Sequence, residues 1–334
     1  MISAASSPMG NNIPKNHHFV PQLLLKGFTD DAGKLWVYDT ELQRKWVVAD
    51  TKSAGAENDF HTVSLKEGVK DRSSIENWVT KYIDTPGYAA IQALFKREFL
   101  TDASELDFMR LVAAQFHRTP SSLRKIKELM TPVLQESVER MAKFDHTLRD
   151  NILARFTAEG IATDQLDQML SSIGKGEAEI NLNRDFVLIS ALDQIEPTAA
   201  VLCQMSWQFL TTAESDPDLI ISDHPVALTD CGDANPQQFI GIQNPNIEIT
   251  MPLSKRMVAI ARWSEEPVSY GTLVKGRAEV INERTMRYAE RFIYASRDSD
   301  DLLKSAVNLR GTGPKVHVER ADIDGKSGLI QSFY

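Results

Sequence analysis

The apolar positions change their period twice along the chain. Residues 34–39 and 44–48 carry β-branched and aromatic side chains and predict two paired strands, with 40–43 as the hairpin loop. Just before them, residues 21–28 predict a short helix with Pro21 near its first turn, followed by a turn over 29–33. Residues 58–63 read as a third short strand or an ordered loop. From Ser73 the spacing becomes helical: Ile75, Trp78, Val79, Tyr82 and Ile83 share one face, and Ser73 or Ser74 can cap. Pro86 is expected to break that helix and another to run over 88–100. Phe108, Leu111, Val112 and Phe116 mark a further helix that ends near Thr119 and Pro120. A long, charged amphipathic helix is expected over 121–143, two more by 173, a link at 174–179, and a helix over 184–205 broken or kinked at Pro197.

The second half returns to strand patterns at 206–212, 219–222, 247–253 and 256–261, with a late strand at 315–319. Helices are expected over 282–294 and 298–309. Strands at both ends around a helical middle predict an α+β fold, not alternating βαβ units. One sheet built from both ends of the chain follows as an expectation. So does a single domain over 15–334, with its helical insert at about 72–205. Residues 1–14 are small and polar, with nothing apolar to bury, and read as a disordered leader.

Composition narrows the function classes. The net charge of -9 over 334 residues excludes a chain-wide electrostatic footprint for nucleic acid, though not a local basic groove or a transient nucleic acid or nucleotide substrate. No apolar run reaches the ~18 residues of a membrane span, and no secretory pattern opens the chain. Two separate cysteines imply no disulfide framework, so a cytoplasmic location is expected. Cys203 reads as core. Cys231, near Asp230 and Asp233, sits where acids raise a thiol pKa, so neither is a candidate nucleophile. The motifs of P-loop enzymes, dinucleotide oxidoreductases, zincins and common serine hydrolases are all missing.

The candidate chemistry lies in three separated segments. His17 and His18 are adjacent, so on an extended segment they face opposite ways. Such a pair serves either as ligand or proton carrier or as an anchor for the N-terminal segment. Gln115 and Arg118 stand three apart at a helix end and share a face; Arg118 suits a phosphate clamp or a helix-terminal ion pair. Ser222 and Asp223 follow an apolar strand, before Pro225; Asp223 is either a functional acid or a turn cap. Glu76 reads as a solvated helix position, and Asp59 with His61 as a second, lesser ligand pair. The candidate catalytic set is therefore His17, His18, Arg118 and Asp223, with Gln22, Gln115 and Ser222 as candidate binding residues and a divalent metal as candidate cofactor.

These motifs occur in order along the chain: His-His-Phe-Val-Pro-Gln from His17, Gln-Phe-His-Arg-Thr-Pro from Gln115, and Ile-Ser-Asp-His-Pro-Val from Ile221. Pro252-Leu253-Ser254 and Ala289-Glu290-Arg291-Phe292-Ile293-Tyr294-Ala295 complete the set. Together they resemble a bacterial domain-of-unknown-function family, number 4238, over about residues 16–295. The pattern often has Asn where this chain has His224. The resemblance carries no activity with it.

Two functions remain open. One is a metal-assisted hydrolase of phosphodiesters, nuclease-like, because His and Asp bind a divalent ion or move protons and Arg neutralises a phosphate. The other is a non-enzymatic binding protein in which the same residues form a structural polar network and the helical insert makes the contacts. Convergence of the three segments on one cleft distinguishes them, and Asp223→Asn is the discriminating substitution.

Overall fold

The computed structural model describes residues 15–65, 69–144, 146–158, 163–232, 241–314, 316–323 and 326–333. The leader expected over 1–14 lies outside them. In chain order the first elements are β1 (Asn16–His18), α1 (Gln22–Leu25), a 3-10 turn (Lys26–Phe28), β2 (Leu35–Asp39) and β3 (Arg44–Val48). The short strands β4 (Ala56–Asn58), β5 (Val63–Ser64) and β6 (Lys70–Asp71) follow. The helical middle comprises α2 (Ser74–Val79), a π-helical turn (Thr80–Asp84), α3 (Thr85–Phe95), α4 (Asp102–His117) and α5 (Pro120–Phe144). It continues through α6 (His146–Ala158), α7 (Thr163–Gly174), α8 (Arg184–Asp193) and α9 (Ile195–Leu202). Then come β7 (Ser206–Thr211), β8 (Ile221–Ser222), β9 (Ala227–Asp230), β10 (Ile247–Ser254), β11 (Met257–Arg262) and β12 (Ser269–Thr272). The last elements are α10 (Arg277–Tyr288), β13 (Phe292–Ala295), α11 (Asp300–Leu309) and the hairpin β14 (Val316–Ile323) and β15 (Lys326–Phe333). The architecture is α+β, with strands at both ends and helices between.

Two sheets organise the molecule. One has the order β12-β7-β11-β10-β9 and comes entirely from the second half. The other, β3-β2-β13-β8, joins the two ends of the chain: Tyr294 pairs with Val37 on one side and Ile221 on the other. A single apolar cluster includes Phe19 and Leu35 from the N-terminal part, Phe108 and Leu111 from the helical middle, and Trp207, Met251 and Tyr294 from the C-terminal part. We therefore propose one folding unit. An excised 72–205 fragment is expected to expose its apolar face and to lack cooperative unfolding by circular dichroism; a stable, cooperatively melting fragment would overturn this.

Three helix boundaries differ from expectation. Pro86 does not end its helix: the chain stays helical from Ser74 to Phe95, and Pro86 is the second residue of α3. The π turn just before it is wide, so the missing Pro86 N–H and the bulk of its ring are absorbed there. The break expected at Pro197 falls at Gln194 instead, which leaves Pro197 in the first turn of α9, where an N–H needs no helical partner. The helix expected over 282–294 stops at Tyr288, and Phe292–Ala295 is a strand. The Asp223 carboxylate accepts the amides of Glu290, Arg291 and Phe292, which takes those N–H groups out of any helix. Cys203, expected in the core, is exposed at the C-cap of α9.

The five-stranded sheet contains one fully buried carboxylate. Glu248 on β10 binds Arg262 from the facing position on β11, and Arg277 and Arg284 from α10. Burial works to raise its pKa, and the three guanidiniums outweigh this and hold it below the usual value.

Candidate active site

A cluster of polar side chains forms where the first strand meets the helical middle. Pairing of β1 with β4 sets His17 opposite Glu57 and turns its ring inward, while His18 stays half-buried. Asp59 follows β4 with a left-handed backbone, φ 60°, which swings the chain round to His61. Arg184, at the start of α8, donates to the carbonyls of Phe60 and Thr62 and so clamps the loop on both sides of His61. The His17 and His61 rings stack, with centroids 5.7 Å apart and planes within 14°.

The tautomers follow from the hydrogen bonds. His17 Nδ1 accepts the His61 amide N–H at 2.8 Å, so the neutral His17 ring carries its proton on Nε2. His61 Nδ1 meets the Glu76 carboxylate. Burial depresses the His61 pKa to about 4, only partly offset by Glu76, so the ring is neutral at pH 7 with its proton on Nδ1. Its lone pair is then on Nε2, which is buried and makes no hydrogen bond. Burial favours the neutral form of Glu76, but its bond to His61 and the positive charge nearby prevail and lower its pKa. His18 is held below its usual pKa by burial, with Nε2 directed at the Lys52 carbonyl at 3.1 Å.

Arg118 closes the cluster from the C-terminal end of α4. It is fully buried, and its Nη2 binds Asp84 at 2.5 Å, on the π-helical turn. Its charge acts on His18, His61 and Glu76. Burial raises the Asp84 pKa against the pull of Arg118. Nε and Nη1 of Arg118 are buried without partners, and so are both amide atoms of Gln115, one turn earlier on α4. Among the described residues seven buried side-chain atoms lack a partner, and five of them belong to His61, Gln115 and Arg118. Folded proteins leave few such atoms unpaired, so these three residues are the candidates for a site.

The family model of a protein of unknown function, DUF4238, matches residues 16–299, most of the chain. The chain belongs to the DUF4238 family. No curated protein and no solved structure matches this DUF4238 chain.

The structure brings His17, His18 and Arg118 of the DUF4238 protein to one region, adds Glu76, His61 and Asp84, and leaves Gln115 buried one turn before Arg118 on α4. It directs the Asp223 carboxylate elsewhere. Both Asp223 oxygens are taken up by the amides of residues 290–292, at 2.7–2.8 Å, and burial raises its pKa to about 6 against those three donors. Ser222 bonds the backbone of His224 within the same turn. The His224 ring meets Thr119 at 2.8 Å, so the turn touches the residue after Arg118 without its acid facing the cluster. Gln22 opens α1, half-buried. Asp59 pairs with Arg72 rather than joining His61.

Asp223→Asn is accordingly expected to destabilise the protein by about 3 kcal/mol, because an amide NH2 would confront backbone N–H donors and leave them unsatisfied. Activity per folded molecule should not change. Denaturant midpoints and the activity of the folded fraction check both parts, and a stable but inactive variant would return Asp223 to the site.

Sequence reasoning placed Glu76 at the surface and did not single out Asp84. The alternation Asp59-Phe60-His61 was the one signal for His61. The signal for Glu76 was its position in the turn between Ile75 and Trp78, both of which pack on the core.

Proposed function

We propose that this DUF4238 protein is a phosphodiester hydrolase, with His61 as its base. The supporting observation is the buried, unpartnered lone pair of His61 Nε2, held by a carboxylate at the opposite ring nitrogen. This pairing orients an imidazole and stabilises the imidazolium that forms when it takes a proton. In the reaction, water loses a proton to His61 Nε2 as its oxygen bonds to phosphorus. The P–O bond to the leaving group breaks, and the imidazolium returns the proton to that oxygen. Arg118, with Nε and Nη1 unpartnered, offsets the charge that gathers on the phosphoryl oxygens. His18 and Glu76 are partly exposed members of the cluster.

A metal-assisted version has its own support: His17, His61 and Glu76 offer ligand atoms within 4.8 Å of one another. His17 Nδ1 and Glu76 already serve the His61 amide and ring N–H, so a cation using those atoms must displace these bonds. The ready ligand is His61 Nε2. The non-enzymatic reading draws on Asp223 and His18, whose polar atoms hold backbone groups.

The test is turnover of bis(p-nitrophenyl) phosphate, DNA, RNA and nucleotides by purified protein, with metal analysis and with chelator added. Chelator-resistant turnover that is lost in His61→Gln supports the base. Turnover that requires a bound cation supports the metal version. No turnover under any condition leaves the binding reading.

A further inference from the structure

Apart from this cluster, a cavity of about 140 Å³ lies between the first turn of α5, the end of α10 and the loop after α11. Arg124, Lys125 and Arg287 line it, with Glu290 as the one carboxylate among its lining residues. Arg124 is paired with Glu290 and Glu128 and Arg287 with Glu283, so each guanidinium offers an anion the N–H groups that these pairs leave over. Tyr288 forms part of the wall, with Lys125 over its ring, and stacks on His224.

Two further observations point to a ligand. Ser121 lines the cavity and is 4% exposed, yet its hydroxyl makes no hydrogen bond among the described residues. Glu290 places Oε1 on Arg124, while Oε2 is buried and unpartnered. A lone carboxylate oxygen repels an anion that only accepts hydrogen bonds. It welcomes one that brings its own proton.

We propose that this cavity binds a hydrogen-phosphate group. The oxygens accept from Arg124, Lys125, Arg287 and the Ser121 hydroxyl, and the P–OH donates to Glu290 Oε2. Sulfate has the same shape and charge but no proton at pH 7, so it leaves Glu290 unsatisfied. The site is independent of the proposed hydrolysis. Free phosphate and a protonated phosphate monoester share this chemistry, and titration separates them.

Calorimetric titration of the full chain with inorganic phosphate, glycerol phosphate and sulfate at pH 6 and 7 tests the proposal. Phosphate is expected to bind at least tenfold more tightly than sulfate. Arg287→Gln, at a half-exposed position, should weaken phosphate at least tenfold with an unchanged melting temperature. Ser121→Ala should weaken it without loss of stability, since its hydroxyl satisfies nothing in the fold. Glu290→Gln should erase the preference over sulfate. Glycerol phosphate binding as tightly as phosphate at pH 6, and less so at pH 7, identifies the monoester as the source; its failure to bind identifies free phosphate. Equal affinity for sulfate, no phosphate binding, or binding indifferent to Arg287→Gln and Ser121→Ala would each overturn the assignment.

Discussion

His61→Gln is expected to reduce kcat for phosphodiester hydrolysis by ~10²–10⁴-fold, the usual contribution of a positioned base, with little change in the denaturant midpoint. Glutamine keeps a hydrogen bond toward Glu76 and removes the lone pair that the fold leaves unused. The pH profile separates chemistry from packing. The base acts only when unprotonated, and burial holds the His61 pKa at about 4. In the wild type kcat/KM should therefore rise through about pH 4 and be flat across 6.5, the ordinary histidine value. Glu76→Gln should lower kcat and move that inflection further down, because the neutral amide no longer stabilises the imidazolium. A rate inflection at 6.5, or His61→Gln retaining full turnover, would remove His61 from the chemistry.

Glu248→Gln should cost about 3 kcal/mol of stability, at the lower end for removing one partner of a buried ion pair. The Glu248 side chain is fully buried, whereas Arg262 is about half exposed and Arg277 and Arg284 are less so. Water therefore relieves part of the unbalanced charge, mostly at Arg262. The pH dependence has a definite sign. The folded-state pKa of Glu248 lies below its ordinary 4.5, so its contribution is complete above pH 4.5 and is lost as pH falls through the lowered value. Denaturant midpoints measured from pH 6 to 3 should converge for wild type and variant at the acid end. A constant gap across that range would show that the carboxylate charge is not what stabilises the sheet.

The buried histidines add to the acid limb at a higher pH. His61 and His117 are each held at about 4 and His224 at about 3, chiefly by burial, against an ordinary 6.5. Protonation then favours the unfolded chain, so wild-type stability should begin to fall as pH drops below 6.5.

Elements with a clean local period were legible in the sequence. The β2–β3 hairpin, α4 and the long α5 follow from residues whose own spacing specifies the face they bury. That both ends of the chain share a sheet was legible in outline, because strand patterns at both ends flank a helical middle, but β13, the strand that joins them, read as helix. Local pattern also determined that His17 and His18 face opposite ways, since alternation along an extended strand is a property of the backbone alone.

Tertiary contacts decided the rest. Phe292–Ala295 carries a helical spacing that continues from α10, but a carboxylate nearly seventy residues earlier captures the amides that would have extended the helix. Asp223 had the same local signature as an acid or as a cap, and only the position of those amides distinguished the two. Glu76 looked solvated because its neighbours on α2 give it no reason to be buried; His61, brought in by the left-handed turn at Asp59 and clamped by Arg184, supplies one. Hydrophobic period reports which side of an element is buried. It does not report which polar groups from distant segments meet there, because that depends on how the elements dock.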